Sequence, residues 1–267
     1  MNAPCCLRAG GGHSGVMDYY GDLFARGSSE GFGRVGSALE AAGVAVIRAV
    51  AAPDECRGLV ELFVRDELFR RTIDLEVYQY GRGRYRFFEG VLPPLLADLR
   101  RALYQVLVPI ARRWGEAAQA SASYPETLDS FLAEGEAEGQ TLETTLLFRY
   151  EVGGFNVLHQ DLYGGRMFPL QACLLLSRPA DDFDGGEFLF EERPEGASSV
   201  RCVQVELGQG DLAIFASNDR PIHGSSGLEG RGVKPRVLCR HGVGRVTRGV
   251  RYAVGLTFAR APFDYQD

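Results

Sequence analysis

Residues 149–161 read Arg-Tyr-Glu-Val-Gly-Gly-Phe-Asn-Val-Leu-His-Gln-Asp. The pattern predicts a strand that passes through a Gly-Gly kink and ends in His-x-Asp. Because residues i and i+2 of a strand point to the same side, His159 and Asp161 can bind one ion together. With a distant second histidine they would form the facial triad that suits non-heme Fe(II). A His-x-Asp alone is more often a surface pair or a buried histidine. Whether this one is a metal site therefore depends on a third ligand elsewhere in the chain.

Two histidines after the motif, His223 and His241, compete for the third position. Residues 241–258 read as an alternating strand, a Thr-Arg-Gly turn and a second alternating strand, and we expect a hairpin. His241 and Arg251 have the same parity in it and would share a face, about 7–8 Å apart if they are diagonal neighbours. His223 lies in a segment that reads as an exposed loop. Since rigid elements hold a metal site better, the sequence favours His241.

These segments resemble the Fe(II)/2-oxoglutarate-dependent oxygenases. The matching segments, in the order of that family, are Tyr150-x-x-Gly153 leading into His159-x-Asp161, the strand opening at 183–188, the strand at 210–215, and His241 followed by Arg251. The resemblance covers about residues 75–260. More narrowly, residues 158–164, 168–171 and 240–243 are similar to a bacterial group labelled prolyl-hydroxylase-like or predicted nucleic-acid demethylase. It implies a mainly β fold with flanking helices and a double-stranded β-helix core of the jelly-roll or cupin-like type.

The resemblance also implies the catalytic centre. His159, Asp161 and His241 would bind Fe(II), and Arg251 would pair with the far carboxylate of 2-oxoglutarate as a fixed fork. The other end of 2-oxoglutarate and O2 would take the remaining metal positions. The implied activity is a dioxygenase that couples decarboxylation of 2-oxoglutarate to hydroxylation or related radical chemistry, such as ring closure, at a substrate C–H bond.

Four further residues are candidates for binding. Gln171 interrupts an apolar strand and must satisfy its donors and acceptor, so we expect it to bond the cosubstrate or to brace a metal ligand. Tyr150 could hold the cosubstrate or pack in the core. Tyr163 and Arg166 lie in the loop after Asp161 and are candidates for substrate contact.

Length and local sequence signals predict one domain at 31–267 after a flexible N-terminus at 1–30, and the resemblance implies that it is an oxygenase domain. The expected parts are a helical and strand lead-in at 31–140 with helices at 35–42, 53–69, 93–114 (kinked at Pro109) and 125–133, a strand at 44–47, an acidic linker at 134–138, and a double-stranded β-helix core at 141–260 with a long loop at 217–235.

Composition bounds the function. The chain has 267 residues, 45% hydrophobic and 24% charged, with a net charge of −6, which argues against a dedicated nucleic-acid surface but allows a local basic patch. No secretory signal or membrane-length apolar run is present, so we expect a cytoplasmic protein without a membrane partner. The six cysteines read as thiols of a reducing compartment. Oligomeric state stays open.

Three hypotheses follow from the sequence. The preferred one is an oxygenase that acts on a small molecule, such as an amino acid or a biosynthetic intermediate. The alternative is an oxygenase that demethylates nucleic acid bases or hydroxylates a peptidyl residue, which needs an open groove with basic and aromatic walls. The third is a non-catalytic cupin-like or zinc-binding barrel, although a zinc site does not explain why an arginine stands at position 251.

Overall fold

The computed structural model describes residues 29–117, 124–161, 165–222 and 236–262. The helices are α1 (Ser29–Ala42), α2 (Pro53–Glu61), α3 (Pro94–Ala117) and α4 (Leu128–Ala137). The strands are β1 (Val44–Ile47), β2 (Phe69–Asp74), β3 (Gly81–Arg82), β4 (Arg84–Phe88), β5 (Leu146–Tyr150), β6 (Phe155–His159), β7 (Leu170–Leu175), β8 (Phe183–Gly185), β9 (Phe188–Pro194), β10 (Arg201–Val205), β11 (Leu212–Ala216), β12 (Asp219–Pro221), β13 (Arg236–Val243), β14 (Val246–Gly249) and β15 (Arg251–Leu256).

The larger sheet has seven strands in the order β1-β11-β7-β15-β5-β4-β2, and all neighbours are antiparallel. Strands β7 and β11 lie inside this sheet and are buried at every residue. Their sequences, LQACLL and LAIFA, are almost continuously apolar, as expected for strands covered on both faces. Gln171 is the polar exception in β7, as the sequence indicated.

The smaller sheet has the order β10-β9-β13-β6-β3, and β12 adds to β13. Alternate residues of β9 point to the larger sheet: the ring centres of Phe188 and Phe190 lie 5.0 and 6.2 Å from that of Phe215 on β11. The two sheets therefore face each other. The predicted fold class, a mainly β protein with flanking helices and a double-stranded β-helix core, is confirmed.

Helix α3 braces the segment that precedes β5. It buries residues at helical spacing, among them Leu96, Leu103 and Leu107. On the same side, Arg100 Nη1 donates to Glu143 Oε2 at 2.8 Å, and both side chains are almost fully buried. Because Glu143 lies just before β5, the pair ties the helix to the strand that leads into the His-x-Asp motif.

The lead-in differs from the prediction at two places. The helix that begins at Pro53 ends at Glu61, and Phe69 begins strand β2, which the sequence pattern did not indicate. The guanidinium of Arg86 on β4 lies 4.3 Å from the ring centre of Phe69. Contacts with the neighbouring strand therefore determine that this segment is a strand. Helix α4 spans Leu128–Ala137, so most of the predicted acidic linker is helical.

Two predicted connections are wrong. The Gly-Gly segment is a turn between sheets, because β5 lies in the larger sheet and β6 in the smaller one; Gly153 has φ +85°. The predicted hairpin that joins His241 to Arg251 does not form. Strand β13 lies in the smaller sheet and β15 in the larger one, and β14 between them pairs with β8.

Some predictions fall outside the described residues: the N-terminal segment up to residue 28, Tyr163, His223 and the loop at 223–235. Within the described part of the chain, no helix has the length and apolar character needed to cross a membrane.

Candidate active site

His159, Asp161 and His241 bring three potential ligand atoms to within 4.8 Å of one another. His159 ends β6, Asp161 follows two residues later, and His241 lies opposite His159 in the β13–β6 pairing. Nε2 of His159 is 3.5 Å from Oδ1 of Asp161, and Nε2 of His241 is 3.2 Å from Oδ2. This arrangement can hold one metal ion from one side.

Hydrogen bonds from the backbone orient the motif. Nδ1 of His159 lies 2.8 Å from the carbonyl oxygen of Val157, to which it donates when protonated, and this leaves Nε2 for an ion. The side-chain amide of Gln160 donates to the carbonyl oxygens of Asn218 and Cys239, both at 2.9 Å. The residue between the two candidate ligands is thereby tied to β13, which carries the third.

The electrostatics hold Asp161 as an anion and His241 as a neutral imidazole, whereas His159 beside Asp161 gains a proton more readily and must lose it when a metal binds. Burial alone would raise the pKa of Asp161, but the two histidines outweigh it and hold that pKa well below its usual value. Burial lowers the pKa of His241, and His159 lowers it further. Burial also opposes protonation of His159, but Asp161 and the Val157 carbonyl raise its pKa above the usual value. A carboxylate anion and neutral imidazoles are the forms that coordinate a divalent metal.

The same cavity contains Arg251, the first residue of β15, which is 1% exposed. It lies opposite Tyr150 in the β15–β5 pairing, with its guanidinium carbon 5.8 Å from the Tyr150 ring centre. Gly186 has φ +62°, and a Cβ at this position would lie 2.9 Å from Cδ of Arg251. Glycine therefore serves both the turn and the space that the arginine occupies.

Several buried polar atoms in the cavity have no hydrogen-bond partner within the described ranges. They are Nε and Nη1 of Arg251, the hydroxyl of Tyr150, Nε2 of Gln171, Oδ1 of Asn156 and Nδ1 of His241. Leaving such a group unsatisfied costs about 1–3 kcal/mol, and more for a charge. Their convergence beside the candidate ligands indicates a binding site for an anion that also forms hydrogen bonds.

The sequence interpretation missed Asn156. Strict alternation along β6 places Asn156 and His159 on opposite faces. The β13–β6 register shifts, however, because His241 pairs with His159 while Val243 pairs with Asn156. The extra residue in β6 is a β-bulge, and it allows both side chains to line the cavity. The available signal was an amide side chain in a strand next to the His-x-Asp motif.

Two tyrosines lie close to the candidate ligands, Tyr85 near Asp161 and Tyr80 near His159. Burial raises the pKa of Tyr85, and the nearby Asp161 carboxylate, Tyr80 and Tyr78 raise it further. Tyr80 is 50% exposed, and its ring centre lies 6.3 Å from that of His159. Gln79 before it has φ +59°, a strained conformation for a non-glycine residue. Strain of this kind occurs at binding sites, where the surrounding structure enforces it.

Arg166, a candidate for substrate contact, is held towards α4. Its guanidinium pairs with Glu134 and, at 3.1 Å, with Glu138, and it lies 5.4 Å from the Phe131 ring centre. Its role in substrate contact therefore stays a prediction, as does that of Tyr163.

A double-stranded β-helix with a His-x-Asp, a second histidine on a paired strand and a buried arginine in the same cavity defines the class of Fe(II)/2-oxoglutarate-dependent oxygenases. The family model Oxygenase-NA, described as an oxygenase catalysing oxidative methylation of damaged DNA, matches residues 83–261. The chain belongs to this family and is an enzyme. Fe(II), 2-oxoglutarate and O2 are the cofactor and cosubstrates of its superfamily.

Two comparisons complete this assignment. The chain is 40% identical over 195 residues to the uncharacterized protein Rv2227 of Mycobacterium tuberculosis strain H37Rv, a match that covers 71% of this chain and 80% of the relative. It is similar to a prolyl hydroxylase of Trichoplax adhaerens solved with a hypoxia inducible factor peptide fragment, with a TM-score of 0.50 and 14% identity over 86% of this chain and 88% of the other. The second likeness shows the fold alone.

Proposed function

We propose that His159, Asp161 and His241 bind Fe(II), and that Arg251 binds the far carboxylate of 2-oxoglutarate. One observation carries this proposal: in the cavity of the three candidate ligands lies a buried guanidinium, two nitrogens of which have no hydrogen-bond partner in the described part of the chain. 2-Oxoglutarate has a keto acid that chelates a metal and a second carboxylate that needs a cation. It therefore fits the ligand cluster and Arg251 at once.

The other cavity atoms that have no partner within the described ranges support the same ligand. The hydroxyl of Tyr150 and Nε2 of Gln171 are donors that can bond carboxylate oxygens, and Oδ1 of Asn156 can accept from Tyr150 or from a bound water. Tyr150 is fully buried opposite Arg251, so its hydroxyl and the guanidinium can act on one carboxylate. Apolar walls from residues such as Phe148 and Phe188 limit the entry of water.

Bound Fe(II) and 2-oxoglutarate supply the oxidation of a substrate C–H bond by O2, with succinate and CO2 as coproducts. The chain's own residues decide which carbon is oxidised. Tyr80 lies beside His159 and Tyr85 lies near Asp161, so a substrate carbon placed beside the metal would lie close to both rings, which we call the aromatic mouth of the cavity. The proposed role of this aromatic mouth is to orient the substrate carbon beside the metal.

For the substrate, we propose a methylated base of nucleic acid. The description of the family model supports this class. The exposed Tyr80 beside His159 also supports it, because aromatic rings bind bases by stacking. The net charge of −6 favours a second candidate, a small molecule such as an amino acid or a biosynthetic intermediate. The two candidates differ in the compounds that stimulate turnover.

The test is aerobic conversion of 2-oxoglutarate to succinate with Fe(II) and ascorbate. The panel holds methylated single-stranded oligonucleotides, unmethylated oligonucleotides of the same sequence, peptides and free amino acids. We expect methylated oligonucleotides to stimulate succinate formation. His241→Ala should abolish it, and His223→Ala should retain it. Stimulation by free amino acids alone would replace the nucleic acid with the small-molecule substrate, and loss of turnover in His223→Ala alone would overturn the ligand assignment.

Metal content separates catalysis from a cupin-like or zinc-binding barrel. Protein that copurifies with zinc and consumes no 2-oxoglutarate after reconstitution with Fe(II) would refute the proposed reaction. Arg251→Ala provides the matched control. It should lose 2-oxoglutarate binding and keep metal binding, because the metal ligands and Arg251 are distinct parts of one cavity.

A further inference from the structure

The outer edge of the smaller sheet carries a basic and aromatic group of residues that the proposed reaction does not use. Strand β3 is the outermost strand of this sheet, and Arg82 on it pairs with Phe155 on β6. The guanidinium carbon of Arg245 lies 4.8 Å from the Phe155 ring centre. We call Arg82, Phe155 and Arg245 the edge cluster.

The two guanidinium groups of the edge cluster approach one point. A Cβ on Gly153 would lie 2.9 Å from Nη1 of Arg82 and 3.9 Å from Nη1 of Arg245. Arg245 Nη1 donates to the Gly153 carbonyl at 3.0 Å, which orients it. Arg82 pairs with Glu76 at 3.5 Å, and both side chains are more than half exposed. Exposed pairs of this kind contribute little, so a phosphate can replace Glu76.

Strands β3 and β6 connect the edge cluster to the residues beside the metal ligands. Strand β6 connects Phe155 to His159, a distance of about 13 Å at 3.3 Å per residue. Tyr80, beside His159, precedes Gly81 and Arg82 in the chain, and its carbonyl accepts from the Val157 backbone nitrogen at 2.9 Å.

Gly81 fixes this edge against β6. It has φ +143°, and a Cβ there would lie 2.2 Å from the Phe155 carbonyl oxygen, so only glycine allows the contact. Tyr80 and Arg82, its two neighbours in the chain, are therefore carried on a backbone held tightly against the strand that ends in His159. This gives the edge a fixed spacing between its cations and the ring at the mouth.

We infer that this edge binds one single strand of nucleic acid, with backbone phosphates on Arg82 and Arg245 and an unpaired base on Tyr80 at the entrance to the metal site. The inference rests on the proposed function, which it deepens by naming the path of the substrate strand. Phosphates bind to arginine forks, and bases stack on exposed rings only when they are unpaired. A single strand alternates phosphates and bases, and the cations and rings along this edge alternate in the same way.

The experiment measures binding rather than turnover. Fluorescence anisotropy of a labelled 12-nucleotide single-stranded DNA is followed at several salt concentrations, with the wild-type protein and with Arg82→Ala/Arg245→Ala. Each lost phosphate contact should reduce the slope of log K against log salt by about 0.7, so the double variant should lose about 1.4 and bind more weakly. Arg57→Ala/Arg193→Ala, which removes two exposed arginines elsewhere, is the charge-matched control and should keep the wild-type slope.

Tyr80 supplies a second, independent readout. Tyr80→Phe should retain DNA binding, because it keeps the ring, and Tyr80→Ala should lose it. Equal affinities and slopes for the edge variant and its charge-matched control would overturn the inference, as would tighter binding of duplex than of single-stranded DNA. These outcomes are independent of turnover. Wild-type protein that binds DNA through the edge cluster but forms no succinate would contradict the proposed function and would still support the inferred DNA-binding edge.

Discussion

Replacing Arg251 with Met separates cosubstrate binding from the stability of the fold. Arg251 is 1% exposed, and two of its nitrogens have no partner among the residues that the structure describes. Truncating one partner of a buried charge pair costs about 2–5 kcal/mol. At about 1.4 kcal/mol per tenfold, the Kd for 2-oxoglutarate should rise roughly 30- to 4,000-fold.

The same replacement should not destabilise the ligand-free protein. Without a bound carboxylate the guanidinium is a buried charge with little compensation, and exchanging such a group for an apolar side chain is often neutral or stabilising. Met has a similar length and fits beside Gly186, where Arg251 Cδ now lies. We therefore expect an unchanged or higher free energy of unfolding in the absence of 2-oxoglutarate.

Two measurements check this prediction. Calorimetric titration of 2-oxoglutarate into Mn(II)-loaded protein without oxygen gives the Kd, and urea unfolding of the ligand-free protein gives the stability. Arg84→Met, an exposed arginine on β4, is the control for loss of charge. An unchanged Kd would refute the assignment of Arg251 to the cosubstrate. A loss of several kcal/mol in the ligand-free protein would show instead that Arg251 holds the fold.

Three further predictions concern the supporting residues. Glu143→Gln should lower the free energy of unfolding at neutral pH by about 3–5 kcal/mol, because Arg100 is left buried without its anion. Burial opposes the ionisation of Glu143, but Arg100 and backbone donors hold its pKa below the usual 4.5. The stability that Glu143 contributes is therefore full above pH 4.5 and is lost as the pH falls through the folded-state pKa. Urea unfolding between pH 3 and 7 should accordingly show a larger drop in the wild type than in the variant, which keeps the other carboxylates of lowered pKa. Gly186→Ala should cost about 1–2 kcal/mol through its left-handed backbone and should also weaken 2-oxoglutarate binding by crowding Arg251; wild-type affinity in the titration would contradict this. Gln160→Ala should weaken Mn(II) binding about 10- to 100-fold, and an unchanged metal titration would show that Gln160 does not position the ligands.

The core strands were predictable because burial on both faces leaves a continuous apolar run, as at 170–175 and 212–216. Strand β2 was not, because its sequence Phe-Arg-Arg-Thr-Ile-Asp is polar at most positions. Its conformation depends on pairing with β4 and on the Arg86 side chain packed against Phe69. Such contacts join residues far apart in the chain, and local patterns do not encode them.

The candidate ligands were predictable for a different reason. His159 and Asp161 are close in sequence, so strand geometry alone brings them together. The relation of His241 to Arg251 was predicted wrongly, since spacing and parity say nothing about which sheet a strand joins; β14 diverts the chain from one sheet to the other. Asn156 was missed because a β-bulge breaks the alternation on which the interpretation depended.

The cavity's two incomplete groups explain each other. At one place an anionic Asp161 lies between two histidines, a set of ligands for a cation; at another, two nitrogens of the Arg251 guanidinium have no partner among the residues described. A metal alone would satisfy the first group and leave the buried guanidinium unpaired, while a simple anion would do the reverse. A dicarboxylate that chelates a metal at one end satisfies both. Metal and 2-oxoglutarate should therefore strengthen each other's binding by the same factor, because coupling between two ligands is reciprocal.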